Sequence, residues 1–97
     1  MNKILIIEDD LEINALLADF LKEKGYAVHC QYDGLHVLDF LNKEKIDLII
    51  LDIMLPYRSG DIILSDVRKK FTIPVIIISA KETTQNKIDL LRLGADD

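Results

Sequence analysis

The sequence predicts an α/β fold with a doubly wound parallel sheet, and the arrangement of its apolar residues is the main evidence. Short, nearly continuous apolar runs, typical of strands buried on both faces, alternate along the chain with segments of helical periodicity. Strands that alternate with helices form βαβ crossovers, which pair strands in parallel. A length of 97 residues, with 49% hydrophobic and 30% charged residues, allows one globular domain.

Four strands are expected from the apolar runs. Three are rich in Ile, Leu and Val, at Lys3–Ile7, Leu48–Asp52 and residues 74–79. The run at 27–32 is a weaker, more mixed version of the same pattern.

Four helices are expected between and after these strands. The first has apolar residues at the spacing of one helical face, namely Ile13, Leu16, Leu17, Phe20 and Leu21. Gly25 marks its end, and the other helices are expected within 34–45, 59–70 and 83–93. The aromatic residues assigned to the core are Phe20, Phe40 and Phe71.

Composition excludes several classes of function. A net charge of −5 and a pI of about 4.9 argue against direct binding of nucleic acid or an anionic membrane. No apolar run is long enough for a transmembrane helix. The single cysteine, Cys30, excludes a disulfide within the chain and fits a reducing compartment, so we expect a cytoplasmic protein.

Acidic side chains follow two of the predicted strands. Glu8 and Asp9 come after the first, Asp52 ends the third, and Ser79 ends the fourth. In parallel sheets these ends meet at one edge, where ligands bind. Each acid alone is more often a helix cap, as we expect for Asp10, but clustered carboxylates without His or Cys favour Mg²⁺. Asp52 is placed as a carboxylate nucleophile that forms an aspartyl phosphate.

Four motifs give the chain its resemblance to the receiver domain of bacterial two-component response regulators. They are Ile-Leu-Ile-Ile-Glu-Asp-Asp at 4–10, Asp-Leu-Ile-Ile-Leu-Asp-Ile-Met-Leu-Pro at 47–56, Ile-Ile-Ile-Ser-Ala at 76–80 and Gly-Ala-Asp-Asp at 94–97. The resemblance covers residues 3–97 and implies the flavodoxin-like, CheY-like version of the predicted fold. It also implies a phosphoacceptor signalling domain rather than a turnover enzyme.

The resemblance assigns roles to residues around the acidic cluster. It makes Asp52 the phosphoacceptor and a Mg²⁺ ligand, Asp9 a direct ligand, the Met54 backbone carbonyl a further ligand, and Glu8 a ligand through water. A sensor histidine kinase is the implied phosphoryl donor.

Further roles concern the phosphoryl group and the nearby loop. Ser79 corresponds to the hydroxyl switch residue, and Ala80 to the small residue that leaves room for the phosphoryl group. Pro56 and Gly60 match the loop after the phosphoacceptor strand.

The amino-acid sequences of the four motifs most resemble those of OmpR/PhoB-type regulators, whose receiver precedes a winged-helix DNA-binding domain. Residues 1–97 contain no such effector domain. The family fold has a fifth strand and helix with an invariant lysine after that strand, so we expect a receiver truncated before them. Lys81 follows the fourth strand and is not that lysine. Without the fifth strand and helix the fourth strand becomes an unpaired edge and the first helix loses a neighbour on one face of the sheet. The apolar surface left open there predicts a homodimer or a domain swap.

Two other functions remain open. One is a receiver fragment that serves only as an interaction or self-association unit. The other is a Mg²⁺-dependent phosphohydrolase with an aspartate nucleophile, but such enzymes usually have a second acid two residues later, where this chain has Met54.

Overall fold

The computed structural model describes residues 2–53, 55 and 59–78, and these form a parallel sheet covered by helices. The strand order is β2-β1-β3-β4. The strands are β1 (Lys3–Ile7), β2 (Ala27–Gln31), β3 (Leu48–Asp52) and β4 (Val75–Ile78), and the helices are α1 (Leu11–Glu23), α2 (Val37–Lys43) and α3 (Gly60–Arg68). The predicted fold class is therefore confirmed. The helix predicted at 83–93 lies outside the described residues.

The two faces of β1 form two separate hydrophobic clusters. Leu5 and Ile7 pack into the larger cluster together with buried residues of α2 and α3. Ile4 and Ile6 point to the opposite face and pack with Ala18 of α1. Because both faces of this strand are covered, its continuous apolar pattern is explained. Burial of each such side chain stabilises the fold by roughly 1.5–3 kcal/mol.

Several element boundaries differ slightly from those predicted. The second helix begins at Val37 and not at Gly34, because the chain first turns at Asp33, whose Oδ1 accepts a hydrogen bond of 3.0 Å from the Leu35 amide. Gly25 has a φ of 95° and follows the end of α1, as the sequence indicates.

Helix α1 buries only part of its predicted apolar stripe, and the assignment of Phe20 to the core is wrong. Asn14 and Ala18 are its buried residues, whereas Ile13, Leu16 and Phe20 are 43%, 70% and 57% exposed. Only Leu17 and Leu21 of the predicted stripe pack against the sheet. The helix contacts β1 and β2 with one narrow edge, so the rest of the stripe is not covered by any described element. Phe40 and Phe71 do pack against the core, as predicted.

The edge strands of the described sheet are β2 and β4. All residues of β2, Cys30 among them, are half-buried, which agrees with its mixed sequence. None of the described helices is long and apolar enough to cross a membrane.

Candidate functional site

The strand order brings the acidic residues of β1 and β3 together. After β1 the chain crosses to β2 on one side and then returns to β3 on the other, so β1 and β3 flank the point where the winding direction changes. Ile7 pairs with Leu51 in parallel register, and therefore Glu8 and Asp52 follow at adjacent positions. This crevice beyond the carboxyl ends of the strands is where such sheets bind ligands.

Three carboxylates occupy this crevice. Glu8, Asp9 and Asp52 each place one oxygen within 4.8 Å of the others. Glu8 and Asp52 are only 5% and 8% exposed, whereas Asp9 is exposed. The cluster predicted from the sequence is therefore present, with two members buried and one at the surface.

Burial and charge crowding change the protonation of Glu8. Burial, reinforced by the neighbouring Asp52 carboxyl group, raises the pKa of Glu8 from 4.5 to about 8. Its Oε2 atom is buried and has no hydrogen-bond partner within the described part of the chain. A proton or a bound cation can satisfy this oxygen of Glu8. Because the cluster offers only carboxylate oxygens, it fits a hard divalent cation such as Mg²⁺.

Asn14, which sequence reasoning missed, fixes the backbone beside the cluster. Its side chain is fully buried, and Nδ2 donates hydrogen bonds to the Glu8 carbonyl at 3.0 Å and the Gln31 carbonyl at 3.3 Å. The Glu8 amide donates to the same Gln31 carbonyl at 3.0 Å. Asn14 thus joins α1 to the ends of β1 and β2. The available signal was a polar residue within the apolar stripe of α1.

Asp10 has the capping role expected from the sequence. Its Oδ1 accepts hydrogen bonds from the amides of Glu12 and Ile13 at 3.0 and 3.1 Å, which satisfies the first turn of α1. Of the three consecutive acids, Glu8 and Asp9 therefore belong to the carboxylate cluster, and Asp10 caps α1.

The backbone after Asp52 is in close contact with the start of α3. The Gly60 amide donates to the Ile53 carbonyl at 2.9 Å. A Cβ atom at position 60 would lie 2.5 Å from the Ile53 Cα and 2.7 Å from the Asp52 carbonyl oxygen, distances that real Cβ contacts do not reach. Glycine is therefore required sterically at this position. The Ile53 amide donates to the Ile78 carbonyl at 3.2 Å, which joins the same segment to the end of β4.

Four of the site residues assigned by resemblance, together with Lys81, lie outside the described residues: Met54, Pro56, Ser79 and Ala80. Their roles stay predictions. Ile78, at the end of β4, pairs with Asp52.

Fold and site together define a class: a doubly wound α/β domain with a cluster of carboxylates at the point where the winding reverses. The profile of the response regulator receiver domain matches residues 4–97. This chain belongs to the response regulator receiver domain family.

Solved structures of receiver domains are similar over the whole chain. The receiver domain of the Francisella response regulator 1452 is 36% identical with a TM-score of 0.94, and the match covers 100% of this chain and 81% of that one. The BeF3-activated N-terminal receiver domain of Klebsiella pneumoniae RstA is 33% identical with a TM-score of 0.95, covering 99% and 82%. The signal receiver domain of a DNA binding response regulator from Colwellia psychrerythraea is 29% identical with a TM-score of 0.90, covering 99% and 82%.

Proposed function

We propose that Asp52 accepts a phosphoryl group from a phosphohistidine of a sensor histidine kinase, with Mg²⁺ bound at the acidic cluster. The observation that carries this proposal is the position of Asp52: a buried carboxylate with oxygens of Glu8 and Asp9 within 4.8 Å. Family membership adds independent support, since a relative 33% identical to this chain has been described in a BeF3-activated form.

The residues divide the chemistry between them. Asp9 and Asp52 would hold the metal directly, together with the Met54 carbonyl, and Glu8 would bind it through water. Mg²⁺ held by these residues would neutralise charge on the phosphoryl oxygens. Asp52 supplies the carboxylate oxygen that forms the new P–O bond while the P–N bond to the kinase histidine breaks, and the histidine nitrogen keeps that electron pair. Attack of water on phosphorus later releases inorganic phosphate and restores the carboxylate.

The output of this reaction is a change of conformation and not the turnover of a substrate. Ser79 would bind a phosphoryl oxygen, and Ala80 would leave room for the group. The dianionic phosphoryl group then favours one of two conformations of the domain. We propose a cytoplasmic regulator of transcription that acts through a winged-helix effector domain. The amino-acid sequences of the four motifs support a role in transcription, and so does the similarity to the receiver domain of a DNA binding response regulator.

Incubation with acetyl phosphate and Mg²⁺, followed by intact-mass measurement, tests the proposal. We expect a gain of one phosphoryl group that disappears with a chelator or with Asp52→Asn. The matched control is Asp39→Asn, which removes a carboxylate from the exposed surface of α2. Unchanged phosphorylation of Asp52→Asn would overturn the proposal, and repeated turnover of an unrelated phosphate ester would favour the phosphohydrolase instead.

The exposed apolar surface of α1 favours a second candidate function, self-association. Ile13, Leu16 and Phe20 lie at the spacing of one helical face of α1 and are 43%, 70% and 57% exposed. Apolar side chains grouped in this way are typical of an interaction surface. Sedimentation at increasing concentration tests it: we expect association that Leu16→Ser weakens and Asp19→Ser, on the same helix, leaves unchanged. A monomer at all concentrations would remove this candidate.

A further inference from the structure

The described cations are concentrated at one end of the sheet. In a parallel sheet all strands begin at the same end, which we call the foot, and each of the described helices also ends there. Each lysine and arginine among residues 2–53, 55 and 59–78 lies at the start of β1 or in and just after the last turn of a helix. They are Lys3, Lys22, Lys24, Lys43, Lys45, Arg68, Lys69 and Lys70. The acidic cluster lies at the opposite end.

The foot also contains a groove between the end of α2 and the segment that leads into β4. Its volume is about 570 Å³. Leu41 and Ile46, which are buried, and Phe71 and Ile73, which are half-buried, form its apolar floor. The exposed lysines Lys43, Lys45 and Lys70 line its rim.

The charge at this groove is positive although the chain carries a net charge of −5. Among the described residues Glu44 is the only acid that lines the groove, and its Oε2 is 3.3 Å from the Lys3 Nζ. Within the described ranges, Lys43, Lys45 and Lys70 form no ion pair. Lysines at helix ends offset the helix dipole, but that effect does not account for an apolar floor beneath them.

We propose that this foot groove binds an acidic segment of a partner protein that carries a large apolar side chain. The lysines of the rim neutralise the carboxylates of the segment, and the floor receives its apolar side chain. The competing occupant is a second copy of this chain, whose exposed acids in and beside the cluster include Asp9 and Asp10, and the effect of the rim substitutions on self-association distinguishes it. The proposal is independent of phosphorylation, since the groove lies at the other end of the sheet from Asp52.

A titration of the full chain with synthetic peptides, followed by amide NMR shifts, tests the proposal. The probe is a short blocked peptide of Glu and Asp with a central Phe. The control peptides replace Phe by Ser, or replace all acids by Lys. We expect the acidic Phe peptide to shift the amides of residues 41–46 and 70–73, and the shifts to weaken with added salt.

Variants with the same change in net charge distinguish binding in the groove from non-specific electrostatic attraction of the peptide to the chain. Removal of the rim charges in Lys43→Gln/Lys45→Gln should weaken binding several-fold, and adding Lys70→Gln should bring the loss to roughly tenfold. Lys22→Gln/Lys24→Gln, with the same charge change on α1, should leave affinity nearly unchanged. Equal losses in both pairs, equal binding of the Ser peptide, or no binding of the Phe peptide would overturn the proposal. So would self-association that the rim substitutions abolish, since the occupant would then be a second copy.

Discussion

The α-carbon of Gly60 is packed directly against the backbone of Asp52: a Cβ atom there would lie 2.7 Å from the Asp52 carbonyl oxygen. The start of α3 thus determines where the backbone of the phosphoacceptor candidate lies. Since the contacting atoms are backbone, relief requires movement of the strand end or of the helix.

We therefore predict that Gly60→Ala lowers the free energy of unfolding by about 1–3 kcal/mol and slows phosphorylation of Asp52. Ser59→Ala, one residue earlier, should change stability by no more than about 0.5 kcal/mol, because Ser59 makes no capping hydrogen bond to the backbone. Urea denaturation and the initial rate of phosphoryl incorporation measure the two effects. Wild-type stability and rate in Gly60→Ala would contradict the steric argument.

The Asn14 side chain gives a second prediction. Asn14→Ala leaves the carbonyls of Glu8 and Gln31 without its Nδ2 donor, so we expect a loss of about 1–3 kcal/mol in the free energy of unfolding. Asn14→Asp has the same size but no donor when ionised, and should be less stable than Asn14→Ala at neutral pH. Denaturation curves test this ranking, with the exposed Asp19→Ala as control. A neutral effect of both substitutions would show that the two hydrogen bonds contribute little.

The raised pKa of Glu8 predicts a pH dependence of stability in the absence of divalent cations. Folding moves this pKa from 4.5 to about 8, so the folded protein keeps a proton that the unfolded chain releases. The contribution of Glu8 to stability is therefore fully present below pH 4.5 and is lost as the pH rises through about 8. The stability difference between wild type and Glu8→Gln, measured with a chelator present, should fall over this range. A difference that rises with pH would contradict the assignment.

Magnesium should stabilise the folded protein through the acidic cluster. At a hundredfold excess over Kd the gain is about 2.7 kcal/mol, because only the folded state brings the carboxylates together. Asp9→Asn should lose most of this gain while its metal-free stability stays within about 0.5 kcal/mol of wild type, since Asp9 is exposed. Thermal unfolding with and without Mg²⁺ measures this stabilisation in each variant. The control is Asp33→Asn, which keeps the hydrogen-bond acceptor for the Leu35 amide. Equal stabilisation by Mg²⁺ in Asp9→Asn and Asp33→Asn would show that the ion binds elsewhere.

The acidic cluster was predictable from sequence because residues that end parallel strands meet at one edge of the sheet. That rule placed Glu8, Asp9 and Asp52 together without any knowledge of side-chain positions. The capping role of Asp10 was equally local, since it depends only on the first turn of the helix that follows.

Features that depend on tertiary contacts were not predictable in the same way. The spacing of apolar residues shows that α1 is amphipathic but not which edge meets the sheet, so Asn14 was missed and Phe20 was wrongly assigned to the core. The family pattern marked Gly60 as a loop residue, but only the positions of neighbouring backbone atoms show why a side chain cannot fit there.

The most direct test of phosphoryl transfer to Asp52 is to locate the modified residue after treatment with acetyl phosphate and Mg²⁺. Borohydride reduces an acyl phosphate to an alcohol, so an aspartyl phosphate is converted to homoserine at its own position. Peptide mass spectrometry should then find homoserine at position 52 and unmodified carboxylates at Glu8 and Asp9. Homoserine at another position, or a phosphoryl group that borohydride does not remove, would contradict the account.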